Sequence, residues 1–206
     1  MEKIGIITAA FRRKYLDYAV NSVLNQTYKN WEYFIVNDNS DEIREWYQDN
    51  KNKLSNYPVF YIDVEKNCGK YGLVTRNIGT MVAINSGCDR IKFVDDDNML
   101  MEKNYLENAV LTEEQTNKIP FSDLYLKGKK PDSTYERKKV TSLARQHIDL
   151  SNVFYRKEHF LQCGYFDDSN NKIMFDWDFI EKVVNKFGKN NFVKLNNHIY
   201  FRHKRY

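Results

Sequence analysis

The stretch RIKFVDDDN, Arg90–Asn98, places three consecutive aspartates directly after a short apolar run. Such a run is typical of a buried strand, which makes the aspartates the first residues beyond its carboxyl end. Adjacent carboxylates repel one another, so the triplet Asp95–Asp97 either holds a cation or is solvated while Asp97 or Asn98 caps a turn. Carboxylates at a loop suit a hard divalent cation such as Mg²⁺ or Mn²⁺. The stretch therefore predicts either a metal site or a simple turn.

Upstream of this stretch, short apolar runs alternate with amphipathic segments. Strands are predicted at Lys3–Ala9, Trp31–Asn37, Tyr57–Val64 and Arg90–Val94, and helices at Leu16–Leu24, around Ile43–Tyr47 and at Leu73–Ser86. Strands that alternate with helices at this spacing form right-handed βαβ units and a mostly parallel sheet. We therefore expect Asp38 and the triplet, which follow the second and fourth strands, to face one crevice beyond the carboxyl ends of the strands.

The second half of the chain is less regular. Helices are predicted at about Glu102–Glu114, after Arg156 and at about Asp176–Phe187, and strands near Ser151–Tyr155, at Asn191–Leu195 and at His198–Arg202. The sequence shows neither an internal repeat nor a low-complexity linker. One domain over residues 1–206 is therefore expected.

The composition is that of a soluble globular protein. No apolar run is long enough to cross a bilayer, which takes about 18 residues. The apolar run near the N-terminus is too short for a signal peptide, and an acidic residue precedes it. Cys68, Cys88 and Cys163 are odd in number and match no metal-ligand spacing, which favours free thiols in a reducing compartment. A cytoplasmic protein is expected.

The net charge of +4 is concentrated in one part of the chain. The basic window Lys127–His147 contains seven Lys or Arg and two acidic residues, so it carries +5 and the remainder of the chain carries −1. This window is either a solvated loop or a contact surface for an anionic ligand, such as phosphates, an acidic polymer or nucleic acid.

Four blocks of the sequence resemble those of family 2 glycosyltransferases and occur in the same order, from Ile4 to about Val184. SVLNQTYKNWEYFIVNDNS (Ser22–Ser40) resembles the first block, NCGKYGLVTRNIG (Asn67–Gly79) the N-x-G-x-x-x-A-R-N-x-G segment, IKFVDDDN the D-x-D motif, and GYFDDS with MFDWDFIEKV the closing blocks. The resemblance implies an α/β protein of the GT-A fold, with a mostly parallel Rossmann-like sheet flanked by helices. It also implies a nucleotide-sugar-binding half over about residues 1–100 and a small acceptor-binding half over about residues 101–206.

The resemblance assigns particular residues to the nucleotide sugar, with UDP as the implied carrier. These residues are Phe11, Arg13, Asp38, Lys70, Arg76, Asp95 and Asp96. Asp38 would accept a hydrogen bond from the nucleobase, and Phe11 would stack on the base where many members have Tyr. The three basic residues would contact the nucleotide or its phosphates, although each is also consistent with a surface cation or a structural ion pair.

The same resemblance implies a bound Mn²⁺ or Mg²⁺ ion, with Asp95, Asp97 and His203 as its ligands. Such an ion acts as a Lewis acid that stabilises the departing nucleoside diphosphate. Three adjacent aspartates allow two registers of the D-x-D motif, so the role of Asp96 depends on the register. For His203, which lies close to the C-terminus, the alternative is an exposed side chain without a ligand.

A general base is implied at Asp176, with Asp178 as the alternative in a shifted register. A carboxylate there would remove the proton of the acceptor hydroxyl as its oxygen attacks the anomeric carbon. Because the nucleophile arrives opposite the leaving diphosphate, the configuration inverts. Asp176 is also consistent with a helix N-cap. Phe175 stands where the family usually has Glu, which predicts an unusual acceptor or a weak activity.

The acceptor and the competing functions remain open at this stage. A cell-surface glycan or its precursor is the acceptor that the family favours, whereas the basic window also suits a modified base in DNA, which would be turned out of the duplex. A basic nucleic-acid-binding protein without catalysis explains the window but leaves the aspartates unexplained. Sugar nucleotidyltransferases are disfavoured because TAAFRRK, after the first strand, has no glycine.

Overall fold

Strands and helices alternate through the first half of the chain, as the periodicity predicts. A computed structural model describes residues 2–69, 72–127, 136–139, 141–145, 147–167 and 175–202. The strands in these ranges are β1 Ile4–Ala10, β2 Trp31–Asn37, β3 Val59–Asp63, β4 Arg90–Phe93, β5 Asn98–Leu100, β6 Ile119–Lys127, β7 Glu136–Lys139, β8 Phe154–Arg156 and β9 Phe192–Arg202. The helices are α1 Leu16–Leu24, α2 Asp41–Leu54, α3 Leu73–Asn85, α4 Tyr105–Thr116, α5 Lys157–Cys163 and α6 Phe175–Phe187.

A five-stranded sheet forms the centre of the molecule, in the order β3-β2-β1-β4-β8. The first four of these strands are parallel, and β8 is antiparallel to β4. Helices α1, α2 and α4 pack in the core on one face, and α3, α5 and α6 pack in the core on the other. Because both faces are covered, β1 and β2 are apolar along nearly their whole length. The predicted α/β fold, a mostly parallel sheet flanked by helices, is confirmed.

A second sheet, in the order β5-β9-β6-β7, corrects the prediction for the end of the chain. The two closing strands predicted there are wrong, because β9 is one strand that pairs in parallel with β6. The register of that pairing shifts between Phe121, opposite Lys194, and Asp123, opposite Ile199. The polar residues 196–198, which interrupt the apolar pattern of β9, lie within this irregularity. Strands β5, β6 and β7 were not predicted.

Two glycines allow α3 to lie unusually close to β1. A Cβ atom at Gly79 would lie 2.6 Å from Cγ2 of Ile7, and one at Gly5 would lie 2.6 Å from Cβ of Ala83. Real Cβ atoms do not approach so closely, so only glycine fits at either position. This close contact holds the N-terminal turns of α3 beside the carboxyl ends of the strands.

We expect Gly79→Ala to lower the free energy of unfolding by about 1–3 kcal/mol, because the added methyl group overpacks the contact between helix and sheet. The intrinsic helix preference of Ala acts in the opposite direction by about 1 kcal/mol, so an increase in stability would contradict the packing argument. Urea denaturation measures the change. Met81→Ala, at an exposed position of the same helix, is the control and should change stability by less than about 0.5 kcal/mol.

No helix in the described part of the chain is long and apolar enough to span a membrane.

Candidate functional site

A cavity of about 420 Å³ opens beyond the carboxyl ends of β1 and β2, where the sequence predicts a ligand. Its lining comes from the segments that follow β1, β2, β3 and β4 and from the start of α3. The side chains that matter for its chemistry are Phe11, Arg12, Asp38, Asn67, Arg76 and Asp96. The cavity therefore joins an exposed aromatic ring, two guanidinium groups and two carboxylates.

Asp38 fixes one wall of this cavity. Its Oδ1 accepts a hydrogen bond from the backbone N–H of Cys68 at 2.8 Å, and its backbone carbonyl accepts one from Nδ2 of Asn67 at 2.8 Å. The residue is 4% exposed. Its other carboxylate oxygen accepts no hydrogen bond from the described residues, so Asp38 can accept one from a ligand in the cavity.

Asp96 fixes the opposite wall. Its Oδ2 accepts hydrogen bonds from the backbone N–H groups of Phe11 at 3.0 Å and of Arg12 at 2.9 Å. Burial raises the pKa of Asp96, and the two N–H groups oppose this rise without cancelling it, so the pKa lies above its usual value. Asp96 thereby ties the aspartate triplet to the loop after β1, which presents the half-exposed ring of Phe11 to the cavity.

Asp95 joins three separate segments of the fold. One carboxylate oxygen accepts a hydrogen bond from the guanidinium of Arg76 on α3. The other accepts bonds from Nδ2 of Asn98 and from Oγ of Ser151, each at 3.1 Å. Both oxygens are therefore engaged within the protein, which favours a positioning role for Asp95.

Arg76 connects the triplet to the predicted base. Burial lowers the pKa of this guanidinium, but the carboxylates of Asp95, Asp176 and Asp96 outweigh that effect, so its pKa is raised and it stays charged. Asp176 lies in the first turn of α6, and its charge acts on Arg76, which lines the cavity. The structure thus brings the triplet, Arg76 and Asp176 together, although they are far apart in sequence.

Asp97 is the third member of the triplet. It lies in the turn between β4 and β5 and is 5% exposed. Among the residues that the structure describes, no group of three His, Cys, Asp or Glu is arranged to hold a metal ion. A divalent ion bound mainly by a diphosphate and water needs only one or two protein carboxylates, and a single carboxylate at Asp97 fits that requirement.

Asn77 links α3 to the segment that leads toward α6. Its Nδ2 donates to the backbone carbonyl of Phe166 at 2.9 Å, and its Oδ1 accepts from the N–H of Phe166 at 3.0 Å. Arg76 and Asn77 are adjacent on α3. Through them, one helix contacts both the aspartate triplet and the segment around Phe166.

A buried lysine, Lys92, is hydrogen-bonded to a residue that in turn contacts the aspartate triplet. Nζ of Lys92 donates to the hydroxyl of Tyr105 at 2.9 Å and to the carbonyl of Ser151. Burial lowers its pKa to about 7, against the opposing effects of Asp149 and Asp95. Lys92 therefore fixes the position of Ser151, whose hydroxyl donates a hydrogen bond to Asp95.

Several predicted residues have other neighbours or lie beyond the described part of the chain. Arg13 forms an exposed ion pair with Asp49 at 2.8 Å and does not line the cavity, and its nucleotide role stays a prediction. Lys70, His203 and residues 128–135, 140 and 146 of the basic window lie outside the described residues. Their predicted roles therefore also stay predictions.

Four residues of the site were not identified from sequence. Arg12 is the neighbour of the predicted Phe11, and Asn67 begins the N-x-G segment, so each had a local signal. Lys92 and Ser151 had none, because their role depends on contacts with distant segments.

The sequence matches a family model described as "Glycosyl transferase family 2" over residues 6–166. No curated protein matches the chain at a significant level.

Solved structures of glycosyltransferases share the fold. TarS of S. aureus is 20% identical with a TM-score of 0.74, over 99% of this chain and 37% of TarS. A TarS 1–349 structure in complex with UDP-GlcNAc is 20% identical with a TM-score of 0.73, over 100% of this chain and 59% of the other. GalNAc-T7 with UDP, GalNAc and Mn²⁺ is 14% identical with a TM-score of 0.71, over 99% of this chain and 44% of the other. The chain thus spans less than two thirds of the length of each of these proteins.

Proposed function

The chain belongs to glycosyl transferase family 2, and from this premise we propose that it moves a sugar from a nucleoside diphosphate to an acceptor hydroxyl. The observation that carries the proposal is the cavity that Asp38, Phe11 and Asp96, the central member of the aspartate triplet, line together. UDP is the proposed carrier, supported by the TarS and GalNAc-T7 structures that contain UDP or a UDP-sugar.

The nucleoside would occupy the part of the cavity between Asp38 and Phe11. The unengaged carboxylate oxygen of Asp38 accepts a hydrogen bond from an N–H of the uracil, and the ring of Phe11 stacks on the base. Arg12 and Arg76 supply positive charge for the diphosphate. Lys70 and Arg13 remain candidates for the same role.

The diphosphate would lie against the aspartate triplet. We assign a metal-binding carboxylate to Asp97, one of the two D-x-D positions that the family resemblance implies as ligands. Asp95, the other, is bonded to three protein donors, and Asp96 is bonded to the loop after β1. Bound Mn²⁺ or Mg²⁺ would neutralise the diphosphate and stabilise its charge as it leaves. Asp95 and His203 remain the other candidate ligands.

Asp176 would act as the general base. Its carboxylate takes the proton of the acceptor hydroxyl while that oxygen forms a bond to the anomeric carbon and the bond to the diphosphate breaks. Attack from the side opposite the diphosphate inverts the configuration. This role is supported by the location of Asp176 in the first turn of α6, where its charge acts on Arg76, a residue that lines the donor cavity.

The acceptor we propose is a surface glycan or its precursor, used in the cytoplasm. The three free cysteines suit a reducing compartment. The charge of the basic window keeps a DNA base as the second candidate acceptor. DNA binding would weaken steeply with salt, so unchanged binding between low and high salt would eliminate this acceptor and the non-catalytic nucleic-acid-binding protein alike.

Calorimetric titration with UDP, with and without Mn²⁺, tests the donor site. Because loss of even a supporting residue costs about 10–100-fold in metal affinity, we expect Asp97→Asn to abolish the gain in UDP affinity that Mn²⁺ produces. Asp41→Asn, at an exposed aspartate on α2, should bind as the unmodified protein does. If Mn²⁺ does not raise the affinity for UDP, or if Asp97→Asn retains that increase, the assignment of the metal ion to the triplet is refuted.

A further inference from the structure

A buried tyrosine hydroxyl lies near the predicted base without a partner. Tyr155, on β8, is fully buried, and its hydroxyl forms no hydrogen bond within the described part of the chain. Other buried tyrosines are paired: the hydroxyl of Tyr33 bonds Thr8 at 2.8 Å, and that of Tyr105 bonds Ser122 at 3.0 Å. A buried hydroxyl without a partner costs stability, so its presence calls for a reason.

The orientation of this hydroxyl is set by the rings around it. The Tyr155 ring packs against Phe93, Phe160 and Phe179, with centroid distances of 6.0, 5.5 and 5.7 Å. A packed aromatic cluster of this kind leaves the ring little freedom to turn its hydroxyl elsewhere.

The same contacts place the Tyr155 ring beside α6, about one turn from Asp176. Phe179 and Asp176 are three residues apart on α6, so their side chains lie on the same face of the helix, one turn apart. Burial raises the pKa of the Tyr155 hydroxyl well above its ordinary value, and the charges of Asp176 and Asp149 raise it further. The phenol therefore keeps its proton and can only donate to a carboxylate.

Of the two carboxylates whose charges act on this hydroxyl, Asp176 has the larger effect. Oδ1 of Asp149 already accepts a hydrogen bond from the N–H of Ser151 at 3.0 Å, where it caps the 3₁₀ turn Leu150–Asn152. Asp176 and Asp95 both act on the charge of Arg76, and Asp176 and Asp149 both act on the Tyr155 hydroxyl. Asp178 lies with Asp176 in the first turn of α6.

We propose that Tyr155 is a positioning residue for Asp176: its hydroxyl donates a hydrogen bond to the Asp176 carboxylate and turns it toward the acceptor during turnover. The inference rests on the proposed function, because it takes Asp176 as the base. A hydrogen bond to the charged carboxylate favours ionisation, so Tyr155 also keeps the base unprotonated at lower pH.

The test is the Tyr155→Phe variant of the whole chain, which removes one oxygen atom. Donor hydrolysis is followed as UDP release from UDP-glucose, UDP-galactose, UDP-GlcNAc and UDP-GalNAc between pH 5 and 9. In this reaction water attacks the anomeric carbon, its proton passes to Asp176, and UDP leaves. We expect kcat to fall about tenfold or more, as for a lost hydrogen bond to a charged group, with KM and UDP affinity within about twofold.

Two further readouts separate positioning from a purely structural role. The acidic limb of the pH profile should move to higher pH in Tyr155→Phe, because loss of the donor raises the pKa of the base. The unfolding midpoint should stay unchanged or rise, whereas Tyr105→Phe, whose hydroxyl is paired, should lower it. An unchanged kcat and acidic limb in folded Tyr155→Phe would overturn the inference, as would a loss of stability equal to that of Tyr105→Phe.

The same experiment separates a failure of the proposed donor site from a failure of the Tyr155 hydrogen bond. If the unmodified protein binds no UDP, the proposed function fails, and the inference fails with it. If UDP binds but none of the four donors is hydrolysed, the donor site stands, and the inference about Tyr155 is overturned.

Discussion

Asp176→Asn should reduce sugar transfer and donor hydrolysis by about a hundred- to ten-thousandfold, the range typical for loss of a general base. The amide has nearly the shape of the carboxylate but cannot take the proton of the attacking hydroxyl. Because Asp176 lies in the first turn of α6 and outside the lining of the donor cavity, UDP affinity should change by less than about twofold. Steady-state kinetics and calorimetry measure the two effects separately.

Asp178→Asn is the matched control for this prediction. Positions two apart on a helix point in different directions, so the second aspartate of α6 should tolerate the change with activity within about threefold. If Asp178→Asn loses activity while Asp176→Asn keeps it, the roles of the two residues are exchanged. If both variants remain active, α6 does not supply the base.

Asp96→Ala should lower UDP affinity by about a hundredfold, because the backbone N–H groups of Phe11 and Arg12 lose their shared acceptor. Both hydrogen bonds are part-buried; a hydrogen bond to a charged group is worth about 1.5–3 kcal/mol, and each 1.4 kcal/mol is about tenfold in affinity. The loop after β1 would rearrange to satisfy these groups and withdraw Phe11 and Arg12 from the cavity. Calorimetry with UDP, together with urea denaturation, divides the cost between binding and stability.

Asp96→Asn distinguishes this anchoring role from direct binding of the ligand by charge. The amide oxygen of Asn can accept the same two backbone hydrogen bonds, so most of the affinity lost in Asp96→Ala should return. The response to Mn²⁺ should also persist in Asp96→Asn, since Asp97 is unchanged. If Asn is as damaging as Ala, the charge of Asp96 contacts the ligand or the metal ion itself.

The central sheet was predictable because its signals are local. The helical spacing of apolar residues in α1 and the continuous apolar run of β2 gave both elements their observed bounds, since burial of one helix face and of both strand faces leaves distinct patterns. Asp38 and the triplet could be placed at one crevice because parallel strands end on the same edge of a sheet.

The second sheet was not predictable in this way. Its central pairing joins β6 to β9, with Ile119 opposite Phe192 and an irregular register further along. Pro120 and the polar residues of β6 weaken the local strand signal. The partner that completes this strand lies in another part of the chain, and pairing between distant segments leaves little trace in either sequence alone.

The composition of the site was thus set by the sequence, whereas the division of labour within the triplet was decided by the tertiary structure. Three identical neighbours, Asp95, Asp96 and Asp97, look equivalent in the sequence. In the fold, Asp95 meets Arg76 and Ser151, and Asp96 meets the N–H groups after β1. The physical reason is that the direction of each side chain depends on the local turn, and its partners are donors that only the packing of distant segments brings within reach.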